Sequence, residues 1–516
     1  MTSRLSVPVA ALVGLMSMVA GLAVGHLVGG FISPISSPFF AVGGTAIDLT
    51  PIWLKDFAVR TFGSDDKLVL LSGMAVVIGL VGVAMGLWSR RSRTPGVALL
   101  VVLGVVATVA VLTRPTAGAL DVLAPLGALI VSVGTFVVLH RLGQPTESPT
   151  GDGAVVGMSR RALLVGSVAV AAGAAVAAAG GQLLTGRAGV EASRKTVGRI
   201  VPTVAPPPIP PGADFAADGS PTFITPNRDF YRVDINLTLP QLRAEDWQLR
   251  VHGMVDRELN LNWADLKSRT LIERPVTMTC VSNEIGGPYI STANFTGVLL
   301  ADILNEAGVQ RGADQVFTTS VDGWTCGSPT AVLTDPARQA MLVIAMNGEP
   351  LPIEHGFPVR MMVPGLYGFV SGTKWITDME LTTFDAHRAY WLQRGWGQRA
   401  PIKTMSRIDS PGAFGRINPD SPITGVAWAQ TKGIEKVEVR VDHGQWRPAE
   451  LSTEVNIDTW RMFRLRGRWE PGNHIAEVRA TDKTGYTQTP DRAAPIPDGA
   501  SGWHSVQFTV LPHPKP

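Results

Sequence analysis

The side chain best suited to hold a soft metal occurs twice in this 516-residue chain, as Cys280 and Cys326. Cys280 sits in Pro275-Val-Thr-Met-Thr-Cys280-Val-Ser-Asn283-Glu284-Ile-Gly-Gly, where an apolar, strand-like run delivers one thiol into a polar, glycine-rich loop. A cysteine alone is more often a small buried hydrophobe than a ligand, so its surroundings decide. Downstream, Asn347-Gly-Glu-Pro-Leu-Pro-Ile-Glu-His355-Gly-Phe-Pro-Val-Arg360 is followed by Val363-Pro-Gly365 and by Ser371-Gly-Thr-Lys374-Trp375. Arginine and lysine beside exposed backbone N–H groups are the usual holders of phosphate. Two thiols exclude a disulfide framework and any four-thiolate zinc or iron–sulfur site built from this chain alone, and no Cys-x-x-Cys-His haem attachment occurs.

The elements that must position these residues fall into two unlike halves. Apolar runs long enough to cross a bilayer span Leu5 to Ile32, Leu68 to Trp88, Gly96 to Leu112, Ala117 to His140 and Ala162 to Leu184. Arg4, the cluster Arg90, Arg91 and Arg93, and the cluster Arg141, Arg160 and Arg161 fall on one side, which the positive-inside rule makes cytoplasmic. An odd number of spans then puts everything after Leu184 outside, together with the loop carrying Lys55, Asp56 and Asp65. Ser159-Arg160-Arg161 ahead of an Ala/Gly-rich span also reads as a twin-arginine export signal, useful where a domain must fold around a cofactor before export. Asp121 lies near the outer end of the fourth span and reads as a boundary residue rather than a proton relay. His26 and His140 sit toward opposite ends of their spans and cannot clamp one haem together.

Residues 186–221 form a Pro-rich linker expected to act as a semi-rigid spacer. In 222–412, Trp247, Leu249 and Val251 alternate as in a strand, and Leu299, Leu300, Ile303, Leu304 and Ala307 make one apolar helix face ended by Gly308. Strands and helices without a βαβ rhythm argue for an α+β fold. In 413–516, Val437, Val439 and Val441 alternate, His443-Gly444 reads as a hairpin turn and Ala476, Val478 and Ala480 alternate again. This is the pattern of an all-β, immunoglobulin-like sandwich. The net charge of +3 with nearly balanced acids and bases gives no nucleic-acid footprint.

From about Thr222 to Thr509 the chain resembles the sulfite oxidase family of molybdopterin-dependent oxidoreductases. The likeness rests on Cys280 with Asn283, on Phe295-Thr-Gly297-Val-Leu-Leu300, on the His355-Gly-Phe-Pro-Val-Arg360 segment with its later Lys374-Trp375, and on Gly425-Val-Ala-Trp428 and Thr459-Trp460-Arg461 in the terminal region. The resemblance implies that Cys280 is the protein ligand to molybdenum and that His355, Arg360, Ser371 and Lys374 hold the pterin and its phosphate. In Asn227-Arg-Asp-Phe-Tyr231-Arg232-Val-Asp234 it implies contacts to the cofactor from Asn227, Tyr231 and Arg232, as from Asn283, with Arg232 also facing the substrate. Sulfite-oxidising members carry two arginines where this chain has Glu284 and Ile285, and a histidine where it has Asp234, which counts against a dianion such as sulfite. Trp324 and Tyr367 are candidates to line a pocket for a less charged substrate, and Cys326 reads as packing or a redox-labile thiol.

The expected protein is therefore N-terminal all-α transmembrane helices (1–185), the linker, an α+β molybdopterin domain (222–412) and a β-sandwich (413–516). It would be a multi-pass cell-membrane oxidoreductase with an extracytoplasmic catalytic domain, moving oxygen to or from a small S-oxide, N-oxide or sulfite-like molecule. Electrons would pass through a separate cytochrome, haem protein or the quinone pool, and the terminal sandwich points to a homodimer. Two other readings stay open: a cofactor-free adhesion or protein-binding module on a membrane anchor, and a membrane protein whose spans carry the function.

Overall fold

The computed structural model describes residues 4–33, 36–51, 54, 57, 61–62, 66–114, 117–144, 160–184, 187–235 and 237–512. The chain divides into two units, Met1–Gly189 with Ile235–Gln241, and Val190–Asp234 with Leu242–Pro516.

In the first unit, five helices are long and apolar enough to cross a membrane: Val7–Ile32, Lys67–Trp88, Thr94–Leu112, Ala119–Leu142 and Arg161–Gly181. Their ends fall within a few residues of the runs read from the sequence. The first helix is the hub, and small residues let its neighbour approach closely. An ideal Cβ on Gly14 would lie 2.0 Å from the Gly82 carbonyl oxygen, and one on Gly86 would lie 1.9 Å from that of Ala10. Such backbone approach packs two helices closely without relying on large apolar side chains between them. Pro38–Leu49 is an additional helix that the sequence did not announce, tied to the third span by Arg114, which reaches Asp48 at 3.3 Å and Thr45 at 2.6 Å. Asp121 lies in the 3-10 turn Ala119–Val122 and accepts hydrogen bonds from the Gly118 N–H at 2.6 Å and from the Ser36 hydroxyl, so its carboxylate is consumed locally. His140 spends Nε2 on the Ser89 carbonyl at 2.8 Å. The loop around Lys55, Asp56 and Asp65, and Ser159, lie outside the described residues.

In the second unit, much of what reads as a linker is packed. Arg187–Val197 is a helix, and Arg194 on it donates to the carbonyls of Pro350 and Leu351 at 2.9 Å each. Val204 exchanges backbone bonds with Leu271 and Glu273, and the Thr453 N–H donates to the Gly212 carbonyl at 2.8 Å. The proline run is thus fastened at both ends to the second unit and is not a free spacer.

The strands that follow are, in chain order, β1 (Gln248–Gly253), β2 (Leu259–Asn262), β3 (Ile272–Thr279), β4 (Ile290–Leu299), β5 (Gln315–Ser320), β6 (Thr325–Pro329), β7 (Met341–Met346), β8 (Glu349–Pro350), β9 (Arg360–Met362) and β10 (Ile376–Thr382). They make one sheet in the order β2-β1-β10-β5-β6 and another in the order β3-β4-β7-β8, with β9 added to β7. The pair β1–β10 is parallel and the other pairs are antiparallel. Trp247, Leu249, Val251, Val298, Leu342 and Ile376 share the core between them. The helix Leu300–Ala307 begins only after Leu299, because β4 runs to that residue, and it buries Leu300, Ile303, Leu304 and Ala307 before Gly308.

The terminal region is all β: β11 (Met405–Ser410), β12 (Gly415–Ile417), β13 (Ile423–Trp428), β14 (Ile434–Val441), β15 (Arg447–Pro448), β16 (Glu450–Leu451), β17 (Arg461–Leu465), β18 (Gly472–Asp482) and β19 (His504–Val510). These form the sheets β11-β13-β17-β16 and β12-β19-β18-β14-β15. Ile423 and Phe463 from one, and Val437, Val478 and Phe508 from the other, bury one core. The turn after β14 takes its left-handed residues at Asp442 and His443 rather than at Gly444.

Candidate functional site

β3 ends at Thr279 and the next residue is Cys280, so the thiol stands where the ladder stops. The Cys280 N–H donates to the Tyr289 carbonyl at 3.0 Å, the Asn283 N–H to the Cys280 carbonyl at 3.1 Å, and the Tyr289 N–H to Asn283 Oδ1 at 2.8 Å. Asn283 is therefore the brace of the cysteine loop, its side-chain oxygen spent on backbone. The Cys280 sulfur is half-buried and lies 2.9 Å from the Ser282 hydroxyl. Burial pushes its pKa up, against the lowering effect of that hydroxyl.

Facing it is the segment before Asp234. Tyr231 stacks on Phe230, whose ring meets His355 edge-on at 5.3 Å. Burial, and then the nearby Cys280, raise the Tyr231 pKa, while Arg360 pulls it down. The phenol is thus a protonated donor between a thiol and a guanidinium. Asn227 accepts from Asn347 Nδ2 at 2.8 Å, donates to the Met346 carbonyl at 3.2 Å and offers its own carbonyl to His355 Nε2 at 3.1 Å. That last bond fixes the proton of His355 on Nε2.

Arg360 and Lys374 sit on neighbouring backbones that pair antiparallel. Arg360 is buried, donates one Nη1 bond to the His355 carbonyl at 3.3 Å and leaves Nε without a partner. Burial brings its pKa down to about 10. Lys374 reaches Asp234 at 3.2 Å and the Glu354 carbonyl at 3.1 Å, and burial outweighs the Asp234 carboxylate to bring its pKa down to about 8. Desolvation, and then Arg360, depress His355 to about 4, so it is neutral near pH 7. Arg232 donates to the same Asp234 carboxylate at 2.7 Å.

The sequence candidates thus converge in part. Cys280, Tyr231, His355, Arg360, Lys374 and Arg232 are linked in one electrostatic chain, Tyr231 feeling both Cys280 and Arg360, His355 feeling Arg360 and Lys374, and Asp234 joining Lys374 to Arg232. Ser371 hydrogen-bonds through its hydroxyl to the Leu366 and Tyr367 carbonyls at 3.0 and 2.9 Å, so it closes a turn. Tyr367 is buried and accepts from the Lys403 N–H at 3.4 Å, whereas Trp324 packs on the edge of the core. Cys326 is fully buried inside β6, with its pKa pushed up to about 11 by burial. Asn347 is a hub the sequence reading passed over: it sits at φ 52 and holds the Thr225 carbonyl, Asn227 and the Asn294 N–H. The Asn347-Gly348 dipeptide, a strong hairpin signal, was the clue available.

An under-bonded buried guanidinium, a buried ammonium and a half-buried thiol together fit a group carrying both phosphate and a thiophilic metal. Residues 236–391 match the family described as the oxidoreductase molybdopterin binding domain. Human mitochondrial sulfite oxidase is 28% identical over 345 residues, covering 56% of this chain and 62% of the human protein, so the chain spans about three fifths of that relative. The uncharacterized oxidoreductase YuiH of Bacillus subtilis is 33% identical over 153 residues, which are 30% of this chain and 73% of that protein. Among solved structures, the sulfane dehydrogenase SoxCD of Paracoccus pantotrophus aligns with a TM-score of 0.47 at 22% identity, covering 54% of this chain and 79% of that one. On the YuiH match and the molybdopterin-binding region, this chain belongs to the sulfite oxidase family of molybdopterin-binding oxidoreductases.

Proposed function

We propose that the protein is a membrane-anchored molybdenum oxidoreductase that moves an oxygen atom to or from a small substrate on the outer face of the membrane. The observation that carries this reading is the buried, under-bonded Arg360 paired with Lys374, linked to the Cys280 thiol through Tyr231, which is influenced by both Cys280 and Arg360. Molybdopterin, when bound, supplies a sulfur-held metal able to exchange an oxygen atom and two electrons with substrate. Cys280 would add one soft thiolate to that metal. Arg360 and Lys374 would hold the phosphate, the Arg360 Nε–H gaining the acceptor it lacks. His355, neutral and with Nε2 committed to Asn227, keeps Nδ1 as an acceptor for the pterin, and Tyr231 keeps its proton as a donor. Asn227, Asn283 and Ser371 act by holding the frame, since their side chains are already bonded to protein.

Arg232 points to substrate choice. Its guanidinium is paired with Asp234, and Glu284 and Ile285 follow the cysteine loop's asparagine, so little free positive charge remains for a dianion. A neutral S-oxide or N-oxide suits this site better than sulfite. Electrons would come from or go to a separate cytochrome, haem protein or the quinone pool. The arginines at 4, 90, 91, 93, 141, 160 and 161 favour a cytoplasmic N-terminus with the second unit outside, delivered by the twin-arginine route. The paired terminal sheets suit an immunoglobulin-like, dimer-forming module.

The test is the molybdenum and pterin content of the full chain from cofactor-replete cells, beside Cys280→Ser. About one molybdenum per chain, with altered ligation in the variant, is expected; a metal-free wild-type protein would overturn the reading. Export that survives Arg160→Lys with Arg161→Lys would remove the twin-arginine route.

A further inference from the structure

The loop that presents Cys280 is gripped from outside its own sheets. Its base is closed by the bonds among Cys280, Asn283 and Tyr289, but its tip, Ile285 to Gly287, is met by the terminal β region. Arg407 on β11 donates through Nη1 to the Gly287 carbonyl at 2.7 Å. Asp409 holds that guanidinium in place, 2.8 Å from Nε and 2.7 Å from Nη2, and its other oxygen is buried without a partner. His504, the first residue of β19, accepts the Ile408 N–H on Nδ1 at 3.0 Å, so its proton is on Nε2. Its ring lies against Gly286, where φ is +77° and an ideal Cβ would come within 2.2 Å of Nε2. Only glycine accommodates both that backbone and that ring. The Ile285 side chain packs on Gly502, where an ideal Cβ would be 2.9 Å from Cδ1.

We infer that Arg407 and His504 are positioning residues for Cys280, so that the terminal β region is part of the apparatus that presents the thiol as well as a separate folding layer. A plain contact between layers needs only apolar packing. A buried carboxylate spent on one arginine, which in turn spends a hydrogen on one loop carbonyl, is costly unless the position it fixes matters. The significance of that position rests on the reading of Cys280 as metal ligand, but the clamp itself can be tested without metal.

The experiment uses the full chain produced without molybdenum cofactor and follows alkylation of each cysteine by iodoacetamide with peptide mass spectrometry. Cys326, fully buried, reports global unfolding. Arg407→Gln is expected to speed Cys280 labelling by about tenfold, the change in loop opening that loss of one charge-assisted hydrogen bond brings, while Cys326 stays protected. Arg407→Lys, which can still donate to Gly287, restores most of the protection. If Arg407→Gln exposes Cys326 as well, His504→Ala decides, since it removes the ring beneath Gly286 without stranding Asp409. Cys280 labelling at the wild-type rate in the folded variants overturns the inference, whatever the metal content of the loaded protein proves to be.

Discussion

Asp234→Asn probes the charge balance of the site most directly. The carboxylate is 4% exposed and pairs with Lys374, which is 12% exposed, at 3.2 Å. Even with Asp234 present, Lys374 is depressed from 10.5 to about 8, so keeping it charged in the folded state costs about 3 kcal/mol relative to water. Removing Asp234 withdraws an attraction of about 5 kcal/mol at an effective dielectric of about 20. The alternative, shedding the proton, costs about 5 kcal/mol at pH 7 for a lysine of ordinary pKa. The second route is cheaper for the variant. The penalty is thus capped at about 1 to 2 kcal/mol at pH 7, growing to about 3 kcal/mol at pH 6 and vanishing near pH 8.5, where Lys374 is largely neutral in the wild type too. Arg232 is 41% exposed, so its share is screened to under about 1 kcal/mol. The sign follows from proton binding: between about 8 and 10.5 the unfolded wild type holds the lysine proton more tightly than the folded chain, so its stability rises with pH, and the variant extends that window downward. Urea midpoints of the detergent-solubilised, cofactor-free chain at pH 6, 7 and 8.5, read by tryptophan emission, give the curve. A penalty that is constant or grows with pH would refute the ion-pair account.

Other outcomes follow from single contacts. His355 and His504 are both held near a pKa of about 4 by burial first. Each therefore withdraws stability as pH falls below its unfolded value of 6.5, by about 2 kcal/mol at pH 5, and His504→Gln should flatten the acid limb of the midpoint-versus-pH curve by about half. Ser371→Ala loses a hydroxyl bond to the Leu366 and Tyr367 carbonyls; about 1 kcal/mol of stability should go while pterin content stays near wild type. In the helical unit, Gly86→Leu must push apart two helices whose backbones touch at Ala10, and the solubilised chain should melt at a clearly lower temperature than Gly73→Leu, a position where a Cβ meets nothing within 4 Å.

The helical half was legible because a helix long and apolar enough to cross a membrane is written as a long apolar run, and nothing else in the chain competes with that signal. Pro38–Leu49 escaped because a short apolar stretch with adjacent glycines reads as a loop, and only tertiary contacts such as Arg114 with Asp48 and Thr45 make it a helix. The linker was misjudged for a related reason: proline content announces stiffness, but not the distant partners, Leu271 and Thr453, that tie the segment down. At the site, the types of Cys280, His355, Arg360 and Lys374 were readable, because thiol and cation chemistry is local to the residue. What Asn227, Asn283 and Ser371 do was not, since each spends its side chain on a backbone group whose proximity only the fold creates. The same holds for Asp234, which in sequence is one acidic residue two after an arginine and in space is the shared counter-ion of two cations.

The two cysteines make the point most sharply, because they share a local pattern. Cys280-Val-Ser282 and Cys326-Gly-Ser328 both place a hydroxyl two residues on, within 2.9 Å and 3.9 Å of the sulfur. Burial raises both pKa values. What separates them is where the strand stops. Cys326 lies inside β6, paired with Thr318 on β5, and its sulfur can only fill the core. Cys280 comes one residue after β3 ends, and its N–H turns to the Tyr289 carbonyl at the base of a loop whose tip the terminal sheets hold. A strand end opening into a loop whose base and tip are both hydrogen-bonded is an arrangement that lets a thiol leave the core without becoming mobile. Arg360 and Lys374, on other segments, are brought together as a backbone pair. The difference between the two thiols is therefore made by register and neighbours, and a cysteine moved by one position along either strand would change its surroundings while keeping its chemistry.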